Sequence, residues 1–127
     1  MLQSLVLSRY SRLLGVLALL IAGGSWWLDL SEIVSVCIFC RAQRTAIGLL
    51  GLLMLLPNYR YLTLILTISI GSMGLHAACA HLMFQLQRLS FTWTYTGLSV
   101  AALSIISVQM IVLIERNWKT CHSRSPV

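Results

Sequence analysis

Cys37-Ile38-Phe39-Cys40 sets two thiols at i and i+3. At the mouth of a helix that spacing lets them close a disulfide, and the free amides of a first helical turn favour a thiolate. Arg41, Gln43 and Arg44 follow directly. Residues 37, 40 and 44 keep the i, i+3, i+7 spacing of one helical face. A guanidinium from Arg44 near the sulfurs would stabilise a thiolate or an anionic acceptor. The competing role for Arg44, and the expected one for Arg41, is snorkelling to lipid headgroups. A C-x-x-C by itself is a weak signal, and its weight here comes from opening a long apolar stretch.

The elements that must position these residues follow from composition. Residues of the AVILMFWYC set make up 58% of the 127-residue chain and charged residues only 9%. Mean hydropathy is +0.87. An average soluble domain carries about 25% charged residues, so this chain cannot cover itself with water-compatible surface. Disorder is excluded by the same apolar content. The formal charge of +6 points to a membrane surface and no nucleic acid, because the basic residues sit between apolar runs.

Uncharged runs at 13–28, 45–57, 61–87 and 89–114, against a requirement of about 20 helical residues per crossing, predict an all-α membrane protein. Its expected architecture is a four-transmembrane-helix bundle forming one domain, with spans at about 12–30, 40–57, 61–84 and 92–114. Pro57-Asn58-Tyr59-Arg60 reads as a tight turn between the second and third spans. Trp26, Trp27, Trp93, Tyr95 and Trp118 fall near span ends, where amphipathic rings prefer the headgroup level. Gly48/Gly51 and Gly71/Gly74 permit close helix approach in lipid.

Arg9, Arg12, Arg60, Arg116, Lys119 and Arg124 fall on one side of this topology, and Arg41, Arg44 and Arg88 on the other. The richer side is expected to be cytoplasmic, with both termini there and the C-x-x-C facing the periplasm. Arg9 and Arg12 ahead of an apolar run resemble a secretory signal. Trp26-Trp27-Leu28 carries that run past the small residues of Ala22-Gly23-Gly24, so the segment is read as a retained first span.

The stretch Cys37-Ile-Phe-Cys40-Arg-Ala-Gln43-Arg44, opening the second of four spans, resembles the disulfide bond formation protein B (DsbB) family, whose pattern there is C-x-x-C-x-x-[QE]-R. Gly74-Leu-His76-Ala77 is similar to that family's glycine, aromatic, histidine, alanine stretch. The resemblance, from about residue 10 to 115, implies an inner-membrane oxidoreductase. Such a protein passes electrons from a periplasmic thioredoxin-like thiol oxidase to a membrane quinone, ubiquinone or menaquinone, and so supports disulfide bond formation. It also implies that Cys37 exchanges disulfides, that Cys40 faces the quinone and that Arg44 helps to bind it. The family usually carries a second cysteine pair in a long outer loop between spans three and four. Here that connection is short, with Gln85, Gln87, Arg88 and Ser90 and no cysteine, which puts the relay to the soluble partner in doubt.

His76 lies within a span, where a polar side chain is expensive and often functional. It could hydrogen-bond a quinone carbonyl, or a neighbouring helix or backbone carbonyl. Cys79 reads as ordinary packing, or as a third redox thiol with His76 at i−3 as its base. His81, nearer the interface, needs less explanation. Cys121 and His122 in the tail are given no role. Cys37, Cys40, His76 and His81 superficially give the spacing of zinc ligands, but an i,i+5 pair of histidines diverges by about 140° around a helix, so no zinc, haem or other metal site is expected. Asp29, Glu32 and Glu115 stand outside the spans or at their ends, and nothing supports hydrolysis. Two function classes remain: a quinone-dependent thiol oxidoreductase, and a non-enzymatic small membrane protein, a truncated relative or assembly factor, with a structural C-x-x-C.

Overall fold

Breakers and caps, rather than hydropathy, determine where the helices stop. A computed structural model of the protein describes residues 2–33, 37–57, 59–88 and 93–123, with side chains from Tyr10 to His122 within them. Four helices occupy these segments: α1 (Leu2–Leu30), α2 (Ile38–Leu55), α3 (Arg60–Gln87) and α4 (Trp93–Ser123). Each is long and apolar enough to cross a membrane, and the described residues contain no strand. This is the architecture of a multi-pass membrane protein.

The helices depart from the expected spans at their ends. α1 begins about ten residues earlier and α4 continues past 114 to Ser123, because nothing in either flank breaks a helix once the apolar run stops. An i,i+4 pair, Lys119 Nζ to Glu115 Oε1 at 3.3 Å, supports the extension of α4. α2 stops two residues short of position 57. Pro57 disfavours the helical conformation in the residue before it, and Leu56 accordingly adopts φ −72°, ψ 152°. α3 runs on to Gln87, so Gln85 and Gln87 belong to a helix and not to the connection. Residues 89–92, the rest of that connection, lie outside the described residues.

α2 is the central helix, packed against α1, α3 and α4, whereas α1 and α4 meet only slightly. Leu50 and Met54 of α2 and Ile106 of α4 are completely buried in the shared core. Without a hydrophobic driving force in lipid, such packing depends on close fit and small residues at the crossings. At the α1–α2 crossing, a Cβ on Gly15 would come within 3.0 Å of both Gly51 O and Met54 Cβ. A Cβ on Gly74 would stand 2.7 Å from Ala46 Cβ, and one on Gly71 would collide with Met110. Large apolar side chains such as Leu20, Ile65, Met73 and Ile111 are exposed, as lipid-facing positions require.

Arg116 of α4 closes the end of the bundle remote from Cys37 and Cys40. Its Nη1 donates to Met54 O at 2.8 Å, and its Nη2 donates to Leu53 O at 3.1 Å and Leu56 O at 3.2 Å. The last carbonyls of a helix have no partner within it, so one guanidinium caps α2 from a neighbouring helix. Asn117 Nδ2 donates to Arg60 O at 2.9 Å and fastens the start of α3 in the same place.

Candidate functional site

Cys37 is the N-cap of α2, with extended backbone at φ −120° and ψ 116°. That conformation turns its side chain back over the first turn, where Sγ accepts from Cys40 N at 3.4 Å. Both sulfurs are half-buried thiols. The third member of the cluster comes from α3: His81 Nε2 lies 3.9 Å from Cys37 Sγ. The ligating atoms of Cys37, Cys40 and His81 all fall within 4.8 Å of one another.

A chain of hydrogen bonds determines which nitrogen of His81 carries the proton. Ser99 Oγ donates to Tyr95 O at 3.1 Å, which uses its only proton. His81 Nδ1, 2.9 Å from the same oxygen, must therefore be the donor to it. That leaves Nε2 as the acceptor. On the other side Thr96 Oγ1 donates to Gln85 Oε1 at 3.1 Å, which turns the Gln85 amide group towards His81 Nε2 at 3.2 Å. Phe39, between the two cysteines, stacks on the imidazole with centroids 5.8 Å apart. His81 is buried, with Phe39 stacked on its ring and a partner at each nitrogen.

Beside the cysteines, the last turn of α1 is tied to the first turns of α2. Asp29 Oδ2 accepts from Arg41 Nε at 2.6 Å, and Asp29 Oδ1 lies 3.8 Å from Arg44 Nη1. Arg44 Nη1 also donates to Ser25 O at 3.2 Å. Arg41 is thus an ion-pair partner with a half-exposed side chain, and not simply a snorkelling residue. Gln43, one turn beyond Cys40, is buried, and its Nε2 has no partner among the described residues.

The expected site residues separate into two groups. Cys37, Cys40 and Arg44 lie at one end of the bundle. His76 is on the exposed face of α3, away from the cysteines, and Cys79 is exposed as well, so Cys79 is not core packing. His81 takes the place beside the sulfurs. The signal for it was present in the sequence. Thr67, Gly71, Gly74, Ala78 and His81 recur at alternating four- and three-residue steps, and all are buried. A small-residue stripe marks the face of α3 that meets its neighbours, and His81 lies on that stripe whereas His76 does not.

The arrangement can exchange protons and electrons at one place: two thiols able to form a disulfide, and a neutral imidazole facing one of them. A guanidinium and an unpaired amide donor stand one turn further in. No protein-family model matches the chain, and neither do any curated protein or solved structure.

Proposed function

We propose that the protein is an inner-membrane thiol–disulfide oxidoreductase of the disulfide bond formation protein B type, with its C-x-x-C on the periplasmic side. It passes electrons from a thioredoxin-like periplasmic dithiol to a membrane quinone. The observation that carries this reading is the convergence of Cys37, Cys40 and the His81 Nε2 lone pair.

The Cys37–Cys40 disulfide takes two electrons from the donor dithiol by thiol–disulfide exchange, leaving the donor oxidised and both cysteines as thiols. His81 Nε2 receives the Cys37 proton as the thiolate forms, and Ser99 holds the ring in the tautomer that can do so. A quinone supplies a two-electron, two-proton acceptor when bound. In this reading Arg44 and the Gln43 amide, whose Nε2 has no partner among the described residues, would donate to a quinone carbonyl. Between α2 and α3, Ala42, Thr45, Ala46, Leu49, Ile70 and Met73 line a cavity of about 190 Å3, whose apolar walls suit part of an isoprenoid chain.

The test is thiol-dependent quinone reduction by the detergent-purified protein. Cys37→Ser and Cys40→Ser are each expected to abolish it, since one sulfur must attack and the other resolve. Arg44→Ala is expected to raise KM for quinone more than it lowers kcat. Near-normal turnover in either single cysteine variant excludes the mechanism. For the orientation, a membrane-impermeant thiol reagent on reduced, intact spheroplasts should label Cys37 or Cys40 and spare Cys121. The opposite pattern rejects it.

A further inference from the structure

We infer that the dithiol form of the Cys37–Cys40–His81 cluster is a binding site for a thiophilic d10 cation, zinc or copper(I). Two sulfurs and one imidazole nitrogen are a ligand set that such ions prefer. The three atoms come from two helices and already lie within 4.8 Å of one another. Metal–sulfur bonds of about 2.3 Å and metal–nitrogen bonds of about 2.0–2.1 Å in a tetrahedral site put neighbouring donors roughly 3.5–3.8 Å apart. The observed 3.9 Å between Cys37 Sγ and His81 Nε2 needs only a small side-chain adjustment.

The surroundings of the histidine carry the argument further. A metal-binding imidazole usually donates its other N–H to a fixed acceptor, which sets the tautomer and the ring plane. Here Nδ1 donates to Ser99 Oγ at 2.9 Å, and Ser99 is held in turn by Tyr95 O. Nε2 carries the lone pair, which accepts from the Gln85 amide at 3.2 Å, and that amide must rotate aside for a metal to bind. His76 is partly exposed and His81 buried, and the inference departs from the expectation of no metal site because His81 alone, with the cysteine pair, completes a ligand set.

Binding converts two thiols and one divalent ion into a neutral bis-thiolate complex and releases two protons, with no change of oxidation state. A monovalent ion gives a complex of charge −1, next to Arg44. A neutral or compensated complex is compatible with a half-buried position at a helix mouth, where an isolated cation would be costly. The Cys37–Cys40 disulfide offers no thiolate, so metal and disulfide exclude each other. Metal capture would then hold the pair reduced and stop electron transfer. That consequence rests on the proposed redox function, while the site itself does not.

The experiment uses the full chain in detergent, reduced with a phosphine under anaerobic conditions. Zinc is titrated in competition with a chelating dye, copper(I) in competition with a chromogenic copper(I) chelator, and cadmium as an ultraviolet probe of thiolate coordination. The expected result is one ion per chain, a thiolate-to-cadmium charge-transfer band, and release of two protons per zinc. The oxidised wild-type protein, which needs no mutation, should show none of these. Cys37→Ser and Cys40→Ser should remove the band. His81→Ala should weaken binding at least about ten-fold, the lower end of what loss of a mere orienting partner produces. His76→Ala and Cys79→Ala should leave it unchanged.

Failure to bind any of the three ions overturns the inference, as does equal binding by the disulfide form or indifference to His81→Ala. Quinone reduction by chelator-treated protein is measured in parallel. Turnover without metal binding rejects the metal site and leaves the redox function standing. Stoichiometric metal binding without turnover does the reverse.

Discussion

Asp29 and Arg41 join the last turn of α1 to the first turn of α2 through a 2.6 Å ion pair, with Asp29 only 4% exposed. A carboxylate is badly placed there on local grounds, because a helix C-terminus is the negative end of its dipole. Among the described residues the two arginines of α2 compensate it, Arg41 directly and Arg44 at 3.8 Å. The same carboxylate therefore restrains Arg44 within a turn of Cys40.

Asp29→Asn keeps the volume and removes the charge, leaving both guanidiniums without their anion. Breaking a fully buried pair costs about 3–5 kcal/mol. The Arg41 side chain is 40% exposed, so a loss of about 1–3 kcal/mol is expected, read as a lower unfolding midpoint. The quinone KM should rise as it does in Arg44→Ala. Combining the two substitutions should raise it little further, since both release the same group. Fully additive effects on KM would show that Asp29 does not act through Arg44.

The two histidines of α3 give a direct contrast. His81→Ala removes the proposed proton acceptor beside Cys37 and should lower kcat by about 10²–10⁴-fold. His76→Ala, on the exposed face, should leave kcat and KM close to those of the parent. A kcat loss in the His76 variant with a normal His81 variant would transfer the catalytic role to the lipid-facing side of α3.

Arg116 offers a test of the bundle separate from its chemistry. Arg116→Met deletes three bonds to the terminal carbonyls of α2 while keeping much of the apolar stem. Hydrogen bonds to charged groups contribute about 1.5–3 kcal/mol each, and they are not additive around one side chain. A destabilisation of about 2–4 kcal/mol is expected. Quinone reduction below the unfolding transition should be unaffected, because the cysteines lie at the other end of α2. An unchanged midpoint would mean that lipid or water satisfies those carbonyls equally well.

What could be read from the sequence, and what could not, divides along the range of the interactions. The four helices were legible because apolar runs of membrane length have few alternatives, and Pro57 marked the end of α2 to within two residues. The Cys37–Cys40 pair was legible because a helical i,i+3 contact is local. Arg116 was not, since its partners Leu53, Met54 and Leu56 are far from it in sequence. The short motif around His76 points away from His81, which only the small-residue stripe of α3 marks as facing its neighbours. The partner of Asp29 is not legible either, since ion pairing to another helix is set by how α1 and α2 cross.

The last prediction concerns access to the cysteines. The chain has no cysteine between Cys79 and Cys121, so under the proposed function no outer-loop pair stands between a soluble dithiol and Cys37. A donor must reach the Cys37 sulfur itself, which is half-buried and covered on one side by His81. Exchange requires the attacking sulfur to line up with the disulfide it attacks, so partial burial penalises a folded donor far more than a small one. Small dithiols should therefore be oxidised readily and folded thioredoxin-like dithiols slowly. Cys79 is exposed on a face of α3 outside the cluster, and Cys79→Ala should change neither rate. Equal rates for small and folded donors would show that Cys37 is accessible enough to need no relay. Loss of folded-donor oxidation alone in Cys79→Ala would identify Cys79 as the relay, reached by a movement of α3 that brings its outer face to the cysteine pair.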